Sequence, residues 1–535
     1  MRGRLLFWSV TASLAGFLFG FDTIVISGAE ETFQRLWQLD ARMHGLATGM
    51  ALWGTVIGAI FGGIPSERYG RRKTLICVGI LYFISAVGSG IAPDVYTFMI
   101  ARFIGGLGVG AATVAAPMFI SEIAPANARG RLAGMFQFNI VFGIIVALVS
   151  NWAFGTSMDM DIAWRWMLGV EAVPALIYTV MSFGLPESPR WLISNAKKRE
   201  EGAAIFRQIN PEASDEEIEQ LVNEVAKTQR GTGKKTRFFT RRLRIPILLA
   251  FLIALFNQFS GINAVFYFAP RLLGLAGLED TLKASIALGL TNLVFTFIGL
   301  WLIDRIGRRA LLYIGSFGYI VSLSVASYTF LSTPTLKVAS ISSDLAAQAS
   351  TLIKVEEGTR FMNPDDRKAF DKDFAGSQAE LIEISKAEWY QGPEVVIPSD
   401  ASAQEILETA QATKTRAGEL IGATGIIVLI SLIAFIAAHA VGQGAVIWVF
   451  ISEIFPNDHR AAGQSLGSST HWIFAAGITT VFPSLIAAVG PGAMFGFFCF
   501  MMILQLLWVH FMVPETKNVP LEELAAKLGL EEAEQ

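Results

Sequence analysis

The chain has 535 residues and a formal net charge of −3, and 53% of its residues are hydrophobic whereas only 16% are charged. A charged fraction this far below the usual quarter excludes a string of ordinary soluble domains, and the small net charge gives no reason to expect a nucleic-acid partner. The 50 Gly and 40 Phe are typical of helices that pack closely and face lipid.

Twelve apolar runs are long enough to cross a bilayer, which takes about 20 mostly apolar residues. They lie at 5–28, 46–64, 74–92, 96–120, 132–153, 166–185, 246–270, 284–303, 310–331, 420–450, 462–489 and 492–513. We therefore predict an all-α membrane protein with twelve transmembrane helices, which places both ends of the chain on one side of the lipid bilayer.

Two long polar segments interrupt this pattern. Residues 187–244 join the sixth and seventh runs, and Ser214 followed by acidic residues is typical of a helix start. Residues 332–418 join the ninth and tenth runs, are acidic, and carry a helix signal at Pro364. This second segment is either a small, partly helical cap or a mobile loop.

Basic residues are concentrated in alternate short loops, and such loops face the cytoplasm. The basic loops contain Arg68, Arg71, Arg72 and Lys73, then Arg129 and Arg131, then Arg305, Arg308 and Arg309. The predicted location is the plasma (inner) membrane, with both termini and segment 187–244 in the cytoplasm and segment 332–418 outside.

The two halves of the chain repeat each other. Gly70-Arg71-Arg72 recurs at 307–309, Ser121-Glu122-Ile123 recurs at 452–454, and Pro186-Glu187 recurs as Pro514-Glu515. The offset between the copies is 237 residues for the first pair and 331 for the second, because segment 332–418 lies between residues 309 and 452. The predicted domains are a bundle at 1–186, a helical linker at 187–244, a second bundle at 245–515 that contains the insert, and a cytoplasmic tail at 516–535. Two such bundles typically rock about a central site and give alternating access.

Three full charges fall inside the apolar runs, namely Asp22, Arg102 and Glu171. A charge at a helix centre costs about 2.5–3.5 kcal/mol on insertion scales, so it needs a partner or a function. Asp22 and Arg102 are predicted to form either a proton switch or a static ion pair between the first and fourth spans. Glu171 is expected near the outer end of the sixth span, in a structural role.

An ordered set of motifs resembles the sugar porter family of the major facilitator superfamily over nearly the whole chain outside the insert. The set comprises GFLFGFDTIVISGA at 16–29, GGIPSERYGRR at 62–72, RFIGGLGVG at 102–110, SEIAPANARG at 121–130, PESPRWL at 186–192, NQFSGINAVFYFAP at 257–270, DRIGRR at 304–309, SEIFPNDHR at 452–460 and PETK at 514–517.

The resemblance implies a monosaccharide site at mid-depth between the halves. The implied site residues are Phe19, Gln137, Asn257, Gln258, Asn263, Phe266, Tyr267, Asn292, Trp448, His471 and Trp472. Amides suit sugar hydroxyls because they both donate and accept hydrogen bonds, and aromatic rings cover the apolar face of a sugar. The alternative is that these amides only join helices, as amides commonly do in membranes. Because His471 stands where the family commonly has an amide, the identity of the sugar stays open.

The resemblance also implies a role for charges. An aspartate at the position of Asp22, with Arg102, indicates proton symport, with a passive facilitator as the alternative and a sugar-sensing receptor as a weaker one. The implied cytoplasmic gate consists of Arg72, Glu122, Arg129, Glu187, Arg308, Glu453, Arg460 and Glu515. No nucleophile–base pair or metal cluster is apparent, so neither an enzyme nor a cofactor is predicted, and a monomer that binds a sugar and a proton is expected.

Overall fold

The computed structural model describes residues 2–125, 129–231, 237–358, 362, 364–456, 459–517 and 519, so most of the predicted tail lies outside the described residues. Within these ranges all regular structure is helical. The helices are α1 Arg2–Val25, α2 Glu30–Leu36, α3 Ala41–Phe61, α4 Gly63–Tyr69, α5 Arg71–Ile91, α6 Val95–Ile123, α7 Arg129–Ser157, α8 Met160–Gly169, α9 Ala172–Ser182, α10 Pro189–Ser194, α11 Arg199–Ile209, α12 Asp215–Gly231, α13 Arg244–Phe259, α14 Ile262–Tyr267, α15 Ala269–Leu275, α16 Thr281–Ile306, α17 Arg308–Ser332, α18 Thr335–Glu356, α19 Pro364–Ile384, α20 Ala403–Ile421, α21 Thr424–Val441, α22 Gln443–Ile454 and α23 Arg460–Met512.

Ten segments in the described part of the chain are long and apolar enough to cross a membrane. The predicted eleventh and twelfth spans are the two parts of α23, which bends at Gly490, where φ is 77°. The predicted sixth span is divided between α8 and α9. The all-helical architecture is as predicted, while the count of twelve spans stays a prediction.

Some helices begin before the apolar runs do, because polar residues accept hydrogen bonds from the first backbone N–H groups of the helix. Asp94 accepts from the N–H groups of Tyr96 and Thr97 and starts α6, and Asp280 accepts from Lys283 and starts α16. These caps explain why several helices begin a few residues before the predicted runs.

The repeated halves meet along two pairs of helices. α3 packs on the first part of α23 so closely that a Cβ added to Gly45 would lie 1.9 Å from the carbonyl oxygen of Thr480. Trp53 Nε1 also donates to Thr480 Oγ1 over 3.1 Å. α7 packs on α16, where the ring centroids of Phe138 and Phe297 are 5.9 Å apart.

The bundle has two distinct ends. We call the end at which α5 and α17 begin, with Arg71 and Arg308, the arginine end. The linker helices α10–α12 pack here on the first half through buried apolar side chains, among them Phe206 and Ile218. As the sequence predicts, α12 starts after Ser214, whose Oγ accepts from the N–H of Glu217 while that carboxylate accepts from the N–H of Ser214.

The opposite end carries α18, α19 and α20, which we call the cap. These helices share their own apolar core, which includes Leu345, Phe374, Leu381 and Ala410. α20 begins with a capping box made by Ser402 and Glu405. The described part of the predicted insert is therefore a folded helical cap rather than a mobile loop.

Candidate functional site

A break between α13 and α14 shapes the centre of the second half. Gly261 adopts a left-handed backbone, with φ 89°, and the hydroxyl of Ser260 accepts from the N–H of Ile262. A left-handed residue ends a helix, and glycine adopts this conformation at least cost. The break lets side chains of α13 and α14 point to the same place.

Replacing Gly261 with alanine is expected to destabilise the protein. A left-handed conformation costs a residue with a Cβ about 1–2 kcal/mol, and the added Cβ would lie 2.5 Å from the ring of Phe498. We expect thermal unfolding in detergent to occur several degrees lower. Gly418→Ala is the matched control, because a Cβ there meets no atom within 4 Å. Equal melting temperatures for the two variants would contradict the argument.

Gln258 is the centre of a polar cluster. Its Nε2 donates to Asn257 Oδ1 over 2.9 Å and lies 3.1 Å and 3.2 Å from the two ring nitrogens of His471. Asn263 Nδ2 donates to Gln258 Oε1 over 2.7 Å. Four of the predicted site residues are thereby joined across α13, α14 and α23. None of them is a carboxylate, an ammonium or a guanidinium, so the cluster offers donors and acceptors to a neutral solute.

Aromatic rings surround this cluster. The ring of His471 lies 5.3 Å from that of Trp448 and 4.8 Å from that of Trp472. Phe19 of the first half contacts Trp472 at 5.6 Å, in an edge-on arrangement. Trp448 is the most exposed of these rings, with 37% of the residue accessible to solvent. These rings provide apolar faces beside the amides.

The remaining predicted residues are placed less closely. Gln137 is half-buried on α7 and Asn292 is buried on α16, and neither makes a hydrogen bond within the described residues. Phe266 and Tyr267 are buried in α14, and the Tyr267 hydroxyl reaches Thr23 of the first half. The structure thus joins Phe19 and six residues of the second half, and leaves Gln137 and Asn292 unlinked to them.

Asp22 and Arg102 form a buried ion pair in the first half, and each is 1% exposed. Arg102 Nη1 donates to Asp22 Oδ1 over 2.6 Å, and its Nη2 donates to the backbone carbonyl of Asp22 over 2.9 Å. Two hydrogen bonds to one residue hold the guanidinium against the carboxylate, which pairs the two charges at a buried position.

The sequence predicts Glu171 near the outer end of the sixth span, and this prediction is wrong. It lies between α8 and α9, halfway along the segment, is 1% exposed and stands beside the Asp22 carboxyl group. The apolar run gives the wrong position because it starts at residue 166, whereas α8 begins at Met160 and so places the outer end of the segment earlier in the chain. Two buried carboxyl groups therefore share one guanidinium, and the cluster is neutral only when one carboxyl group holds a proton.

The repeated charges at the arginine end build the same arrangement twice. Arg71 pairs with Glu122 at 2.9 Å, and its backbone N–H donates to Glu187 over 2.7 Å. Arg308 pairs with Glu453 at 2.7 Å, and its backbone N–H donates to Glu515 over 2.9 Å. In both copies the guanidinium also donates to a backbone carbonyl, of Ser66 or of Ile303. Each set lies within one half.

Arg71, rather than the predicted Arg72, holds Glu122. Arg72 instead donates its N–H to Glu187 and its guanidinium to the carbonyl of Phe183. The repeat already contained this signal, because it aligns Arg71 with Arg308. Arg460 is half-buried, and the side chain of Arg129 lies outside the described residues. Among the described residues, the ion pairs at this end lie within one half or the other.

At the cap end a buried charge cluster that the sequence analysis missed joins the halves. Arg271 of α15 donates to both carboxylate oxygens of Glu30 over 3.0 Å and 2.9 Å, and it also donates to Gln34. His44 Nε2 lies 2.7 Å from Glu30. Burial by itself would raise the pKa of Glu30, but Arg271 and His44 hold that pKa below its usual value. The carboxylate is therefore charged, and the pair intact, at physiological pH.

Apolar helices in two repeated halves, with a cluster of amides and aromatic rings and a buried ion pair among them, fit a membrane transporter. The chain belongs to the sugar (and other) transporter family, whose sequence profile matches residues 8–346 and 407–528. This confirms the predicted membership of the sugar porter family of the major facilitator superfamily. The family is one of transporters rather than enzymes. The unmatched residues 347–406 fall within the cap.

Similar proteins support the same assignment. The chain is 31% identical over 532 residues to the glucose transport protein of Synechocystis, covering 96% of each chain. It is 30% identical over 529 residues to the arabinose-proton symporter of Bacillus subtilis, covering 98% of this chain and 94% of that protein. The xylose transporter XylE from E. coli, in its inward open conformation, is 27% identical, with a TM-score of 0.71 over 98% of this chain and 99% of the other.

Proposed function

We propose that this protein imports a monosaccharide, a hexose or a pentose, together with a proton. The observation that carries the proposal is that an uncharged amide and aromatic cluster lies around Gln258, while a separate buried cluster around Asp22 can hold a proton. A sugar needs hydrogen bonds and apolar faces but no counter-charge. Relatives named for glucose, arabinose and xylose transport support this substrate class.

The orientation follows from charge. The arginine end carries Arg71, Arg308 and their neighbours, and short loops rich in arginine face the cytoplasm. We therefore place the arginine end and both chain termini inside the cell, with the cap outside, in a protein of twelve spans that crosses the plasma membrane as a monomer. The repeat divides it into the bundles at 1–186 and 245–515.

The structure corresponds best to an inward-facing state. Glu30 and Arg271 tie the halves at the cap end, and α3 packs on α23 at Gly45, so access from outside is blocked. At the arginine end the described ion pairs stay within each half. A network between the halves here, which the family resemblance implies for the outward-facing state, would form when the arginine end closes.

Coupling requires that a carrier loaded with sugar but no proton moves slowly. A carrier that has bound sugar while both buried carboxyl groups are charged would have to move an uncompensated buried charge, which is costly. A proton on Asp22 or Glu171 neutralises the cluster. The sugar cluster and the Asp22 cluster are linked through α14, because Tyr267 of this helix reaches Thr23, the neighbour of Asp22. Proton and sugar then favour the same rearrangement, which is the requirement for symport.

The second candidate is a passive facilitator. The observation that favours it is the close fit of Arg102 on Asp22, with hydrogen bonds of 2.6 Å and 2.9 Å, which suits a static pair. A sugar receptor has no comparable support in the structure.

The test is uptake of radiolabelled hexoses and pentoses into proteoliposomes, with and without an imposed proton gradient. We expect one monosaccharide to accumulate above its external concentration, with alkalinisation of the external medium. Equilibration without accumulation, and without proton movement, would establish the facilitator instead. Uptake of no monosaccharide under either condition would contradict the proposed substrate class.

A further inference from the structure

We propose that the cap is a latch: it is fixed to the second half and clasps the first half by polar contacts, which hold the external side closed. The proposal rests on the proposed function for its orientation and for its effect on transport. The proposal is based on the position of α18. This helix continues from α17 of the second half, yet its C-terminal end contacts acidic residues of the first half.

The attachment to the second half is covalent and apolar. α18 follows α17 after Thr333 and Pro334, and α20 leads into α21 through Gly422. Side chains of Leu336 and Ile421, from opposite ends of the cap, both lie against Gly277 of the second half. Because the cap has its own core and two connections to one bundle, it moves with that bundle as a unit.

The contact with the first half is polar. Lys354 Nζ at the end of α18 lies 3.1 Å from Asp159, in the turn between α7 and α8, and 3.4 Å from Asp161, in the first turn of α8. Arg35 of α2 donates to Asp161 and, over 3.4 Å, to Thr351 of the cap. The N–H of Asp161 and the ammonium of Lys354 hold the pKa of Asp159 below its usual value, so the latch is charged at physiological pH.

The cap's contact with the first half is polar, whereas its attachment to the second half is covalent and apolar, so only the contact with the first half can separate. The side chains of Lys354 and Asp159 are 35% and 55% exposed, and ion pairs as exposed as these are weak because water competes for both partners. They can separate without uncovering an apolar core. When the halves tilt apart at the cap end, the turn after α7 must leave α18. The latch therefore opposes external opening and biases the carrier towards the inward-facing state.

The test measures opening directly and does not need a sugar. Spin labels at Ser157→Cys and Glu279→Cys, both exposed at the cap end on opposite halves, report the separation of the halves by pulsed electron resonance. Cys77, which is exposed, is replaced by serine in all samples. The test variant is Lys354→Glu. The control is Lys337→Glu, which makes the same charge change on the same helix, where Lys337 pairs with Glu380 within the cap at 2.9 Å.

We expect Lys354→Glu to raise the population with separated labels on the order of threefold to tenfold, the scale set by a few weak ion pairs, and Lys337→Glu to leave it unchanged. Identical distance distributions in all three proteins would overturn the latch, whatever the transported solute. A second measurement uses Lys354→Cys with Asp159→Cys and a reducible thiol crosslinker. Crosslinking should lower uptake at least tenfold and reduction should restore it, whereas undiminished uptake when crosslinked would also overturn the latch.

Discussion

Asp22→Asn is expected to abolish concentrative uptake while sugar exchange across the membrane persists. A membrane potential supplies about 2.3 kcal/mol per charge per 100 mV, which corresponds to a concentration ratio of roughly fiftyfold for a neutral solute moved with one proton. The asparagine side chain cannot bind the proton, but its amide oxygen can still accept from Arg102, which donates to Asp22 over 2.6 Å. Accumulation should therefore fall to unity, and counterflow should continue.

The measurement is the steady-state ratio of internal to external sugar in proteoliposomes at a fixed potential. Asp94→Asn is the matched control, because Asp94 is an exposed carboxylate at the start of α6 whose capping role an amide can take over. The control should concentrate sugar as the unmodified protein does. An Asp22→Asn variant that still accumulates sugar would show that the proton is carried elsewhere.

The buried charges show what the sequence could and could not predict. The scarcity of charges in apolar runs singles out Asp22 and Arg102, and their pairing follows because a membrane leaves them few other partners. Glu171 was singled out in the same way but given the wrong depth, since hydropathy locates a helix end only to within a few residues. Its place beside Asp22 depends on how α8 and α9 pack within the first half, which no local pattern indicates.

The internal repeat predicts the charge sets at the arginine end. It placed the two charge sets at one end of the bundle, and the structure shows them as near copies, down to the backbone carbonyl that each arginine reaches. The Glu30–Arg271 contact has no such signal, because its partners are far apart in the chain and come from halves whose packing only the fold determines. The same holds for Lys354 and Asp159, which meet only because the cap folds back over the first half.

Gln258→Ala is expected to weaken sugar binding by about tenfold to a hundredfold. One or two hydrogen bonds of about 1 kcal/mol or slightly more would be lost, and each 1.4 kcal/mol is a factor of ten in affinity. The loss is amplified because Gln258 holds Asn263 at 2.7 Å and lies 3.1 Å from His471, so its removal frees both side chains from their present positions. The measurement is a titration of the best monosaccharide ligand by intrinsic tryptophan fluorescence, to which Trp448 and Trp472 are positioned to respond.

The matched control for this loss is another buried glutamine of the same half. Gln505 is buried and donates to Ser316 over 3.1 Å, between α23 and α17 rather than to the polar cluster around Gln258. Gln505→Ala removes the same atoms from the same bundle, so it should lower thermal stability and leave sugar affinity unchanged. If both variants lose affinity alike, Gln258 acts by stabilising the bundle, and the amides of α13 and α14 only join helices. If Gln258→Ala alone loses affinity, at normal thermal stability, the polar cluster binds the sugar.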